Sequence, residues 1–287
     1  MEIRSGYRND EKLRASLSGL ARETFGIDLA GWYDNGFWGD DYIPYSVVED
    51  GEVVANVSVN VCNMKWRTRV HHLAQLGTVM TRPDHRGKGL IRKIMEYVQD
   101  DCDRMFEGTY LYAEDHMAPF YEKFGFVRND EYQCRKKVDI TNKPEVEKVS
   151  MDSKEEWDRM VDIIQRRPQY GERVMVNNTG LFMFYISGIM SDSVYYIPSS
   201  DSYVIAGRSN DVLTLYAVFS SEKVSLGDVI ASFGSDVKNV TLAFTPENNT
   251  GFEQKKIKNN ETVFFTRGPV FERMSGDRYM FPEISHA

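Results

Sequence analysis

Residues 76–95, LGTVMTRPDHRGKGLIRKIM, constrain the fold of this chain more than any other stretch. An apolar run that reads as a strand over 70–81 stops at Pro83, then passes through Arg86, Gly87, Lys88 and Gly89 into a helix expected over 89–105. In that helix Leu90, Ile91, Ile94, Met95 and Val98 fall on one side. The first helical N–H groups have no intrahelical partner and the helix dipole is positive there, so the loop can receive an anion. Glycine at 87 and 89 lets the backbone come close to phosphate oxygens where a Cβ would intrude. Arg86, Lys88, Arg92 and Lys93 place positive charge at the same end. The spacing is neither Walker A, which needs Gly-Lys-Ser/Thr, nor the dinucleotide fingerprint G-x-G-x-x-G.

Around this unit the periodicities predict an ordered alternation. Asn9 and Asp10 can cap a helix with Leu13, Leu17, Leu20, Ala21 and Phe25 on one face, and a second short helix covers 27–33. Residues 43–61 read as two strands joined at Asp50-Gly51, a two-residue hairpin signal. After the long helix come a strand at 109–113, a short helix at 118–123, and strands near Phe126 and over 132–138. The polar stretch 139–150 holds Asn142 and Pro144 and is read as a boundary between domains at 1–140 and 141–287. Beyond it, helices are expected over 153–166 and 181–190, strands over 194–197, 203–207 and 212–219, a helix over 226–233, and strands over 240–244 and 262–266. The fold class is therefore α/β, with a mixed sheet flanked by helices and a second, smaller α/β domain of similar order.

The loop segment resembles the coenzyme A signature of the GNAT N-acetyltransferase superfamily, R/Q-x-x-G-x-G/A, read here as Arg86-Gly87-Lys88-Gly89-Leu90-Ile91. The last position, Ile91 in place of Gly or Ala, and the following Arg92 resemble the enhanced-intracellular-survival type. A second match follows the next strand: FYEKFGF over 120–126 is similar to the family's Y-x-x-x-G-F/Y element. The resemblance covers 1–138 in element order and about fifty residues at motif level. It implies a mostly antiparallel GNAT sheet. It also implies a pyrophosphate held by the amides of Gly87, Lys88, Gly89, Leu90, Ile91 and Arg92 with Arg86 beside them, and pantetheine paired with Val79, Met80 and Thr81. Tyr121 is implied as the general acid beside the thioester sulfur. Acetyl-CoA is then the donor, an amine is the acceptor, and the chain is an N-acetyltransferase. A larger acyl donor, or a non-catalytic acyl-CoA sensor, are the alternative readings.

The chemistry also needs a base, because an amine of pKa near about 10 is protonated at neutral pH. Glu114, Asp115 and His116 follow the fifth strand, and Glu114 is taken as the candidate. The stretch 32–42, WYDNGFWGDDY, combines aromatic rings with carboxylates and is expected to wall the acceptor site. No motif marks the second half, where 220–227 reads SSEKVSLG with a carboxylate at Glu222 and no phosphate signature. It is expected to be a degenerate, non-catalytic copy, with the terminal Ala287 carboxylate reaching the active site by analogy.

The net charge of −8 argues against nucleic acid or anionic membrane as partners. No run approaches a membrane span, and the opening MEIRSGYRNDEKLR has no apolar core, so a cytoplasmic protein without a signal peptide is expected. Cys62, Cys102 and Cys134 lie far apart and read as free thiols. His71 and His72 would face opposite sides of a strand, so no metal is expected. Homo-oligomerisation is left open by the sequence.

Overall fold

The computed structural model describes residues 1–258 and 262–286. Strand β1 (Glu2–Ser5) leads to helix α1 (Glu11–Phe25), whose first turn is capped by the Asp10 carboxylate accepting from the Leu13 amide at 3.1 Å. Leu13, Leu17, Leu20 and Ala21 are buried as expected, whereas Phe25, placed on the same stripe by its spacing, is half exposed at the helix end. Helix α2 (Leu29–Asp34) starts at Asp28. Strands β2 (Tyr42–Glu49) and β3 (Glu52–Trp66) turn on Asp50 and Gly51, both at positive φ, the geometry their sequence encodes. Then follow β4 (Arg69–Thr81), α3 (Leu90–Met105), β5 (Gly108–Ala113), α4 (Ala118–Tyr121), β6 (Val127–Asn129) and β7 (Tyr132–Lys137).

The second half runs β8 (Glu147–Lys148), α5 (Lys154–Arg166), β9 (Arg173–Met175), α6 (Thr179–Ile186), β10 (Val194–Ile197), β11 (Ser202–Ser209) and β12 (Val212–Ser220). It closes with α7 (Leu226–Ala231), β13 (Asn239–Leu242), β14 (Glu253–Lys256), β15 (Val263–Arg267) and α8 (Pro269–Arg273). Strands β8, β9 and β14 carry no signal in the sequence reading; each is short and takes its conformation from its partner. Among the described residues no helix is long and apolar enough to cross a membrane, and no group of three or more His, Cys, Asp or Glu is placed to hold a metal ion.

Two mixed, mostly antiparallel sheets result, and each half lends the other a strand. The first is ordered β1-β2-β3-β4-β5-β15-β6, with β9 paired to the far end of β3; the second is β14-β7-β13-β12-β11-β10-β8. In each sheet the single parallel pair, β4–β5 and β12–β13, sits beside the borrowed strand. Strand β15 lies antiparallel between β5 and β6, and β7 lies antiparallel between β13 and β14. The expectation that strand 132–138 closes the first unit and strand 262–266 the second is thus corrected: each completes the other sheet. Val263, Phe264, Phe265 and Thr266 are all buried, as befits an interior strand covered on both faces. The middle of the order does repeat, including an extra residue in β4 between its Ser58 and Asn56 pairings and one in β12 between its Ala206 and Ile205 pairings.

Candidate active site

The phosphate-type loop has the form its glycines allow. Gly87 (φ 77°) and Gly89 (φ 71°) both adopt the left-handed conformation that L side chains avoid, and Gly89 is the N-cap of α3 without any side-chain cap. The first amides of α3 are therefore left for an incoming acceptor. Arg86, Lys88, Arg92 and Lys93 are exposed around the loop, whereas Leu90 is buried beneath the helix with Ile94, Met95 and Val98. Ile91, at the position where the family pattern has Gly or Ala, packs against the first-sheet core. The geometry suits a diphosphate held by backbone.

Strand β4 departs from β5 at the same end. The two pair only from Leu73–Gly108 to Leu76–Leu111, after which they diverge and leave one edge of β4 unpaired toward β5. At that point Thr78 has φ 43°, a strained value for a residue branched at Cβ. Three hydroxyls hold it there in a closed ring: Thr78 to Ser58 at 2.7 Å, Ser58 to Tyr42 at 2.8 Å, and Tyr42 to Thr78 at 2.9 Å. The Asn56 amide donates to the Thr78 carbonyl at 3.0 Å and to Ser58 at 2.9 Å, and its oxygen accepts from Ser46 at 2.8 Å. Ser46, Asn56 and Ser58 are fully buried, so the network is anchored away from solvent. Val79 and Thr81 are partly exposed and Met80 is buried.

A cavity of about 590 Å³ opens where the strands part. Gly77, Thr78 and Val79 form one wall and Tyr112, Ala113 and Glu114 the other. Tyr121, at the end of α4, is buried in its lining; burial alone pushes its hydroxyl up to about 12, so it is a protonated donor at neutral pH. Glu114 also lines the cavity, but its side chain is 69% exposed and pairs with His116 at 3.0 Å. Asp115 instead pairs with Arg128 at 2.6 Å, away from the cavity lining. Sequence therefore brought Val79, Tyr121 and Glu114 to one chamber, with the Arg86–Arg92 loop at the start of the helix that follows β4.

The opposite wall was only half legible. Trp32 and Tyr42 line the cavity as expected, but the carboxylates between them do not. Asp40 pairs with Arg8 at 2.8 Å, and Asp41, whose pKa burial raises, accepts from Asn177 at 3.0 Å. Phe184, Tyr185 and His286 complete that wall from the second half, and no local pattern announces them. The tail folds back as its apolar composition suggests; Ala287 itself lies outside the described residues. Behind Tyr112 sits Glu131, held by the Tyr112 hydroxyl at 3.1 Å and the Phe281 amide at 3.0 Å, and raised by burial to about 7. His286 stacks on Tyr112 with ring centroids 3.8 Å apart, and burial pushes it down to about 3.

The corresponding place in the second sheet is filled by protein. Strand β12 pairs with β13 from Val212 to Leu215, and its free edge then binds residues 168–170: the Tyr170 amide donates to the Val218 carbonyl at 2.8 Å, and Gln169 bridges Phe219. The following helix α7 is capped by Ser225, which accepts from the Asp228 amide at 3.3 Å.

A loop of left-handed glycines at a helix start, two diverging parallel strands and a buried tyrosine in the cleft together form a GNAT-like fold. Residues 41–128 match the family model described as acetyltransferase (GNAT) domain. Similar solved structures extend over both halves. One is a conserved Enterococcus faecalis V583 protein described as a probable N-acyltransferase, 14% identical, with 93% of this chain and 72% of that one covered at a TM-score of 0.62. Another is a GCN5-related N-acetyltransferase from Kribbella flavida, 16% identical, covering 93% and 71% at 0.55. Eis1 from Mycobacterium abscessus is 12% identical, covering 92% and 73% at 0.55. At these identities the likeness is one of fold. No curated protein matches the sequence.

Proposed function

We propose that the chain transfers the acetyl group of acetyl-CoA to an amine. The observation that carries this reading is the cavity at the β4–β5 divergence, lined by Val79 and Tyr121, at the end of the sheet where the glycine loop opens α3. The amides of Gly87 to Arg92, with Arg86 and Lys88, would hold the coenzyme pyrophosphate, and the free edge of Val79, Met80 and Thr81 would pair with the pantetheine arm as an added strand. Bound there, acetyl-CoA supplies an activated thioester carbonyl.

The residues of this chain then divide the work. The Thr78 bulge sets the orientation of the Val79 amide, the donor proposed for the negative charge that develops on the carbonyl oxygen. The amine nitrogen bonds to the acetyl carbon as the carbon–sulfur bond breaks, and Tyr121 gives its proton to the departing sulfur. Glu114, the one carboxylate among the described residues lining the cavity, takes the proton that the ammonium must lose. The second half serves as scaffold and wall: residues 168–170 occupy the edge where a second pantetheine would pair, which supports one coenzyme per chain. Release of free thiol from acetyl-CoA with a panel of amines tests the reaction; thiol release that no amine accelerates would refute it.

A further inference from the structure

Besides Tyr121, the cavity lining contains four tryptophan and tyrosine rings, and the polar tip of each is already engaged by protein. The Trp32 indole N–H donates to the Gly180 carbonyl at 2.7 Å. The Tyr42 hydroxyl belongs to the ring with Ser58 and Thr78, that of Tyr112 donates to Glu131, and that of Tyr185 donates to the His286 carbonyl. What these four residues offer a bound molecule is ring surface. Phe184 adds a fifth ring, edge-on to Trp32 with centroids 6.0 Å apart. Among the described residues the lining holds no lysine, arginine or aspartate, and Glu114 is its one carboxylate. The His286 ring also lines the cavity and is neutral near pH 7; its Nε2 is itself buried and has no protein partner.

Taking the transferase reading above as its basis, we propose that the acceptor is an amine whose one cationic nitrogen is carried on an aromatic body, the class of arylalkylamines. A single ammonium is attracted by aromatic faces, and the aromatic body gains by leaving water against the same rings. A polyamine or aminosugar would have to bring further ammonium groups against apolar walls, where nothing pairs with them. The cavity volume lies within the range of about 300–1,000 Å³ usual for small-ligand sites.

The test uses the full chain with acetyl-CoA and compares kcat/KM for phenethylamine, ethylamine, spermidine and kanamycin. Phenethylamine should exceed spermidine and kanamycin by at least about tenfold, and Phe184→Ala should lower the phenethylamine-to-ethylamine ratio by at least about fivefold. Phe184→Leu, a milder change of volume, should lower that ratio in the same direction should the alanine variant fail to fold. A preference for spermidine or kanamycin, or a ratio unmoved in the folded variant, overturns the acceptor class while leaving acetyl transfer standing. If no amine releases thiol, the transferase reading falls instead. Calorimetric titration then judges the acceptor class alone: phenethylamine binding more tightly than spermidine upholds it, and equal or weaker binding overturns it.

Discussion

The Tyr42 hydroxyl stands 2.9 Å from Thr78 Oγ1, and this contact joins the acceptor wall to the strained residue at which β4 leaves β5. Ser58 closes the ring from β3, fully buried. Replacing it removes one hydrogen bond each from the Tyr42 and Thr78 hydroxyls and the Asn56 amide, in a buried network. Ser58→Ala should therefore destabilise the fold by about 1–3 kcal/mol. Chemical denaturation measures this, and a change below about 0.5 kcal/mol, the range of a bland surface substitution, would show that the ring does not hold the bulge.

The strand exchange predicts that the two halves are one folding unit. A fragment of residues 1–140 lacks β15, so β5 and β6 lose their shared partner while β7 loses both β13 and β14. Full-length protein should unfold in one calorimetric transition, and the fragment should show no cooperative melting. A fragment melting cooperatively near the full-length midpoint would mean that β7 can return to the first sheet.

The features set by local chemistry were readable in advance: the Asp50-Gly51 turn, the Asp10 cap, the buried face of α3, the glycine loop and the order of elements through β6. The destination of β7 and β15 was not. Pairing partners far apart in sequence leave no local periodicity, and YQCRKK or VFFTR would read the same in either sheet. The site followed the same division. Val79 and Arg86–Arg92 lie within one contiguous motif and Tyr121 within a second, whereas Phe184, Tyr185 and His286 reach the cavity only because the second half folds against the first. The carboxylates of Asp40 and Asp41 were misjudged because position in a cluster does not say which neighbour, Arg8 or Asn177, engages them, and Phe25 because its place on a stripe does not say that the helix end leaves the core.

Tyr121 provides a kinetic test. Tyr121→Phe keeps the ring in its packing place and removes the proton, so turnover should fall roughly a hundredfold while coenzyme affinity stays within about twofold. Burial raises its hydroxyl to about 12, so it stays protonated across the working range. The wild-type pH–kcat profile should thus rise as the amine loses its proton and should not fall below about pH 10. Turnover of the variant within about threefold of wild type would make Tyr121 a packing residue.

Glu131 gives a stability test with a definite sign. Its folded pKa of about 7 lies above the unfolded value of about 4.3. The native state holds its proton more tightly, so this group's contribution is largest below the unfolded value and is lost as pH rises through the folded one. Glu131→Gln removes that dependence. Relative to wild type, the variant should gain about 1–3 kcal/mol between about pH 5 and about pH 8. Parallel denaturation curves would contradict a buried, raised carboxylate.

The most direct measurement is calorimetric titration of coenzyme A into the wild-type chain and into Gly89→Val and Arg86→Glu. The glycine at φ 71° and the arginine beside the loop are the two features on which diphosphate binding rests. Wild type should bind one coenzyme per chain, and each variant should bind at least about tenfold more weakly, roughly 1.4 kcal/mol, with its fold intact. Unchanged affinity in both folded variants, or two coenzymes per chain, would contradict the account.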